Sequence, residues 1–307
     1  METRATTKSK FKMKQTVFFI IFISCLFGCK KDNPNPQKAG NFDFEKVTEL
    51  PTVLKESSGL ETLGNFEFWS HNDRGGEAKL FKFDTLGRLA QTVFIENAKN
   101  EDWEDLTQDA YGNLYVGDFG NNDNDRKDLT IYKISSEDLN GNNNSILASK
   151  IEFSFPEQTA FPPPESEFFF DIESVFSKGD YLYLLTRDRS KPFFGKTTLY
   201  RIPNSEGTYE AEFLSEFITD SKKARGQITA ADLSPDGTKL AMISNEVLWL
   251  FESISDENFF SGDMSKVDLP VKSDMEGLVF SDDCTIYLSN ENSGSNGGNL
   301  YKITLCK

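Results

Sequence analysis

The chain of 307 residues carries 49 acidic side chains against 33 basic ones, a formal net charge of −16. Phosphate backbones repel a protein this acidic, so nucleic acid is excluded as a partner, and cations or cationic surfaces fit better. A single histidine and four cysteines are too few for a catalytic transition-metal centre of the usual nitrogen and sulfur ligands.

Residues 1–28 read as an export signal. Arg4, Lys8, Lys10, Lys12 and Lys14 form a basic leader, and the apolar run over 16–27 is too short to span a bilayer comfortably. It ends Leu26-Phe27-Gly28-Cys29, which resembles a bacterial lipobox, although Phe27 is bulkier than the usual residue there. The expectation is an outer-membrane lipoprotein, facing periplasm or cell surface and held to the lipid membrane through acylated Cys29; ordinary secretion is the alternative. Cleavage at that point leaves 28 basic and 48 acidic residues, a net charge of −20. Residues 29–41 are polar and rich in Pro and Asn, as suits a flexible tether. Residues 42–307 are long enough for one domain with a sizeable core, expected to be monomeric. Cys25 leaves with the signal and Cys29 takes the lipid, so Cys284 and Cys306 are left as a disulfide candidate in an oxidising compartment.

From residue 42 onward strand follows strand, with turn signals between and no long helical periodicity. A short pattern recurs: Asp102-Trp103-Glu104-Asp105-Leu106, Asp171-Ile172-Glu173-Ser174-Val175 and Asp274-Met275-Glu276-Gly277-Leu278. Two degenerate copies are Glu56-Ser57-Ser58-Gly59-Leu60 and Thr229-Ala230-Ala231-Asp232-Leu233. The middle residues lie 46, 69, 58 and 45 apart, the spacing of propeller units. Copy one predicts strands over 59–63, 66–69, 79–83 and 89–95. Copy two predicts 105–109, 114–117, 130–134 and 151–155, with the Gly/Asn-rich stretch 140–144 as a mobile hairpin end. Copy three predicts 172–176, 181–186, 198–202 and 209–217, after a proline run over 162–164 that no central strand tolerates. Copy four predicts 228–233, 239–244, 247–251 and 267–269. Copy five predicts only three strands, 277–280, 285–289 and 300–305, while a spare strand lies upstream at 42–50. The fold expected is an all-β propeller of five four-stranded blades, six being the alternative. Its ring is closed by the N-terminal strand pairing with the last blade, which leaves no open end between first and last blades.

The acidic blade openings, with the loops His71-Asn72-Asp73 and Gly117-Asp118-Phe119-Gly120-Asn121-Asn122, resemble a group of propeller lipoproteins of diderm bacteria. More distantly the chain is similar to calcium-associated propellers of the phytase-like, SdiA-regulated and gluconolactonase groups. That resemblance covers nearly all of 42–305. It implies a calcium-dependent hydrolase acting on a phosphoester or lactone, with Glu104, Glu173 and Glu276 on the metal and an acid or His71 activating water.

The residues themselves point to one face. In an antiparallel blade the connection into the first strand and the loop between the second and third lie at the same end. That end collects Asp102, Glu104, Asp171, Glu173, Asp232, Asp274 and Glu276, beside Asp73, Asp118, Asp188 and Glu291. Convergent carboxylates, with asparagines such as Asn72, Asn121, Asn122 and Asn290, are what calcium needs: several hard oxygen ligands in an irregular shell. Glu104, Glu173, Glu276 and Asp118 are the metal candidates. The competing reading is that the openings bond to backbone amides of the next blade and lock the ring. His71 is a candidate base or ligand, and Arg74, Arg126, Arg187 and Arg189 either grip an anionic group or pair with the acids. No Gly-x-Ser-x-Gly elbow is present, and the run over 293–298 lacks the lysine of a phosphate loop. The functional expectation is a small-molecule, glycan or protein ligand bound at this face with calcium, and hydrolysis is the alternative.

Overall fold

The computed structural model describes residues 42–306 except 63, 65, 142, 255–256 and 292–297, together with Met1 and the pair Gln37–Lys38. The remaining residues of 1–41, including the signal segment and the lipidation candidate Cys29, lie outside the described residues. Five sheets make up the domain. Each has an innermost strand, namely Ser57–Thr62, Trp103–Gln108, Asp171–Lys178, Ala230–Leu233 and Met275–Asp282. Each innermost strand packs against the next and the fifth against the first, so the sheets form a closed five-bladed propeller.

The period of two explains why the ring holds together. Successive residues of a strand face opposite sides of its sheet, so each blade offers one apolar face to each neighbour. In Glu67–Asn72, Phe68 packs on Tyr287 of blade 5 with ring centroids 4.8 Å apart, while Trp69 belongs to the cluster shared with Trp103 of blade 2. Five buried clusters correspond to the five blade interfaces, with buried phenylalanines in four of them and Trp69 and Trp103 in the one between blades 1 and 2.

Blade 5 takes its outer strand, Asp43–Glu49, from the N-terminal end of the domain, paired antiparallel to Asn299–Thr304. A Cys284–Cys306 disulfide with Cα atoms 5.2 Å apart ties the C-terminal end to the same blade. Three blades gain a fifth strand at the rim, parallel in each case: Ser145–Ile146 on blade 1, Gly207–Glu210 on blade 2 and Gln37–Lys38 on blade 4.

Two local expectations are corrected. The stretch 140–144 is not simply a hairpin end, because Ser136–Asn140 forms a short helix capped by the Ser135 hydroxyl, and the chain then pairs with blade 1. The single strand expected over 209–217 is two strands, which break at buried Ala211. The first half adds to blade 2, and the Ala211 amide follows it by donating to the Ser154 carbonyl (2.8 Å).

Candidate functional site

The innermost strands do not enter the ring in register. Their ladders slip between Ser58 and Glu61, Trp103 and Leu106, Ile172 and Ser174, and Met275 and Gly277. A bulge leaves a residue unpaired and re-aims its side chain. Glu104, Glu173 and Glu276 occupy these slips, and all three line one cavity of about 220 Å³ at the channel mouth. Blade 4 has a regular ladder over Ala230–Leu233 and contributes no acid there.

Ser58, Asp73, Arg74 and Asn122 line the same cavity. Arg187, Arg189 and Glu291 complete it, so that no apolar side chain faces the space. Arg187 Nη1 donates to Glu173 Oε2 (3.0 Å) and Arg189 Nη2 to Glu173 Oε1 (2.6 Å), while Arg189 Nε bonds Asp171. Blade 3 is thus a neutralised quarter of the mouth. Arg74 differs: it is exposed at the rim and forms no ion pair among the described residues.

On the other side three carboxylates gather with no ion pair of their own among the described residues, and Arg74 and Arg126 are the basic groups that favour their ionised forms. Asp73, Asp102 and Glu104 each offer a carboxylate oxygen, and these atoms lie within 4.8 Å of one another. Asp102 is 6 % exposed and its Oδ1 is buried with no hydrogen-bond partner. Burial, then the charges of Asp73 and Asp171, push Asp102 up to about 6. Burial, then Glu173 and Asp73, push Glu104 well above the ordinary carboxylate range. Burial raises Glu276 likewise, with Arg187 opposing and Glu173 adding to the shift, and takes Glu291 to about 7. Burial works against the charge of Arg187, yet the carboxylates of Glu173, Glu276, Asp171 and Glu104 keep it protonated.

Several predicted residues lie elsewhere. Asp232 is at the far end of the channel, with Glu61 in a cavity of about 510 Å³ lined by the tight turns. The reason is its place in the repeat: it aligns with Asp105, one residue past the mouth position. These residues are the amide-binding locks. Asp105 accepts from Leu106 N and from Val175 N of blade 3 (2.8 and 3.0 Å), and Asp232 from Leu233 N and Phe280 N of blade 5 (both 2.8 Å). Glu61 bonds the Thr62 and Gln108 amides in the same way. Blade locking is therefore carried by Asp105, Asp232 and Glu61, and the carboxylates that line the mouth are different residues.

His71 is also corrected. It shares strand parity with Trp69, so it turns into the interface with blade 2, fully buried and edge-on to Trp103 (centroids 5.4 Å). Its Nδ1 donates to the Asn72 carbonyl (3.1 Å), and burial lowers it to about 4, which leaves it neutral. Asp118 is not at the mouth either. It accepts the Asp102 amide (3.1 Å) and Arg126 Nη2 (3.0 Å) from behind. Asn121 donates its amide to Asp171 (2.6 Å). Asp188 gathers the amides of Ser190, Phe194 and Lys196. Asn72 bonds Glu56 N and the Val53 carbonyl, Asn290 bonds Asn299 N, and Asp274 is held by Asn245. What sequence reasoning missed is Ser58, at the repeat position of the three glutamates, and Gly120, whose backbone presses on the carboxylates.

Two solved structures are similar to this chain over most of its length. A PQQ-bound aldose sugar dehydrogenase from Streptomyces coelicolor superposes with a TM-score of 0.54 at 9% identity, over 87% of this chain and 99% of that one. A gluconolactonase from Xanthomonas campestris has a TM-score of 0.47 at 9% identity, over 90% and 95%. The likeness is one of fold. No protein-family model matches the chain, and no curated protein matches it.

Proposed function

We propose that the mouth binds a divalent cation at Asp73, Asp102 and Glu104, and through it a small hydrophilic ligand. The observation that carries this is the buried, unpartnered Oδ1 of Asp102, a residue whose carboxylate lies close enough to those of Asp73 and Glu104 for the three to share one ion. A buried carboxylate oxygen with no donor is costly unless something positive meets it, and the other oxygen, Oδ2, accepts only a long bond from Asn122 Nδ2 (3.5 Å). The donors are hard oxygens, which suits calcium and not zinc or copper. Three carboxylates supply three to six of the roughly six to eight oxygens calcium takes, so an outside ligand can complete the shell. The wholly polar lining and the unpaired Arg74 favour a hydroxylated or anionic ligand.

Calorimetric titration with calcium tests this. One site is expected, with thermal stabilisation of about 2.7 kcal/mol at a hundredfold excess over the dissociation constant. Asp102→Asn is expected to abolish both. A wild-type protein whose melting and heats ignore calcium ends the reading.

A hydrolytic reading is favoured by Glu276 alone. It lines the same cavity outside the cation group, accepts no hydrogen bond among the described residues, and is held above the usual carboxylate range by burial. Such a carboxyl suits proton transfer. Calcium-dependent turnover of a chromogenic phosphoester or a lactone, lost in Glu276→Gln at unchanged calcium affinity, is the result that supports catalysis; silence across both substrates leaves binding. Anchoring at the outer membrane through Cys29 is part of the same proposal, and Cys29→Ala is expected to release the protein from the membrane fraction.

A further inference from the structure

We propose that Gly120 is the positioning residue of the cation group, an inference that rests on the reading just given. A Cβ built on Gly120 would lie 2.2 Å from Glu104 Oε1 and 2.6 Å from Asp102 Cγ and Oδ2. The two carboxylates therefore occupy the volume of an absent methyl group, and they share one point because residue 120 has no side chain.

Among the described glycines this contact is peculiar to Gly120. Gly195 and Gly226 are pressed against the Asp220 carbonyl, Gly87 against the Glu49 carbonyl and Gly262 against that of Glu252. Those glycines serve the fold, because backbone cannot yield. At Gly120 the opposing atoms are the free ends of two side chains, which can. Nor does Gly120 adopt the left-handed backbone conformation, so alanine brings no backbone strain of its own.

The loop cannot retreat instead. Gly120 N donates to the Asp102 carbonyl (3.1 Å), and the Gly120 carbonyl accepts Arg126 Nη1 (2.9 Å). Arg126 also pairs with Asp118, which holds the Asp102 amide, and on the far side the Asn121 amide is bound to Asp171. The peptide is stitched to the blade 2 opening from behind and to blade 3 beyond. A methyl at residue 120 thus displaces Asp102 and Glu104 and leaves the loop in place. Asp118 and Arg126, chosen from sequence as a metal ligand and a ligand-binding residue, act through this peptide.

The test compares wild type, Gly120→Ala, Gly76→Ala and the double variant Gly120→Ala/Glu104→Asp, by terbium luminescence, calcium calorimetry and melting without cation. Gly76 is the control, since a Cβ there meets nothing nearer than 3.9 Å. Gly120→Ala is expected to lose about 10–100-fold in affinity, the range seen when groups supporting a metal site are altered, with cation-free melting no lower than wild type. Shortening Glu104 by one methylene draws its carboxylate off the new methyl, so the double variant is expected to regain part of the affinity. Equal affinity in wild type and Gly120→Ala overturns the role of Gly120 alone. So does a collapse of cation-free melting that Glu104→Asp does not relieve. A wild type that binds neither ion overturns the site reading and this inference together.

Discussion

Glu104 and Asp105 are adjacent, both buried and both acidic, yet they act on different parts of the molecule. Glu104 turns into the mouth toward Asp73 and Asp102, whereas Asp105 turns back and accepts two amides, one of them from blade 3. Substitution at the two positions should therefore have opposite signs. Asp105→Ala orphans the buried Leu106 and Val175 amides, for an expected loss on the order of 2–4 kcal/mol, measured by denaturant unfolding. Glu104→Gln removes one member of a crowded like-charge group. Without cation it is expected to raise the melting temperature, and with calcium present to forfeit the added stability. A Glu104→Gln protein that still gains stability from calcium would place the ion elsewhere.

At the scale of the strand, the bulge is the device that separates the two duties. Four entry strands slip register at the mouth, and the regular one, Ala230–Leu233, has alanine at the mouth position, while Asp232, one residue on, faces the far end. Burial takes Asp232 to about 7, and burial together with Asp232 raises Glu61 well above its ordinary value. Asp102 and Asp171 at about 6 and Glu291 at about 7 have the same sign. Between an unfolded carboxylate pKa of about 4 and these folded values, the unfolded chain gives up protons that the folded protein retains. Stability therefore falls as pH rises through that window. Cation-free melting is expected to drop from pH 5 to pH 7.5. Calcium should flatten the part due to the mouth, and Asp232→Asn the part due to the far end. A melting temperature that climbs over the same range in the absence of cation would contradict the burial of these acids.

For the whole molecule, ring closure decides whether distant residues meet. Blade 5 is assembled from both ends of the domain, Asp43–Glu49 and Asn299–Thr304, and the Cys284–Cys306 bridge spans 22 residues. Replacing both cysteines by serine is expected to cost about 3 kcal/mol by the loop-entropy estimate. Removing residues 43–49 exposes the Asn299–Thr304 edge and should cost more, with loss of calcium binding as the mouth loosens. The comparison of the two variants by calorimetry and light scattering separates covalent from strand closure: if the truncated protein melts and binds as the full chain does, the ring does not depend on that strand.

Repeat spacing and short apolar runs between turn signals were enough to read five blades, the closing strand and the four main strands of each blade apart from 209–217, because strands buried on both faces read as apolar runs and each blade must repeat them. The period of two held the clue to His71, two residues after Trp69 and so on the same buried face. The sequence could not show which acids face the mouth. Asp232 stands at the Asp105 position of the repeat, not at that of Glu104, but that one of these adjacent positions faces the mouth and the other binds amides of the next blade is decided by the folded strands. Nor could it show that Gly120 faces two carboxylates, since that contact joins a loop to a neighbouring strand. Strand pattern is local and survives in the linear chain; bulges and close backbone approaches arise only when the sheets pack, and in this protein they decide which carboxylates share the site.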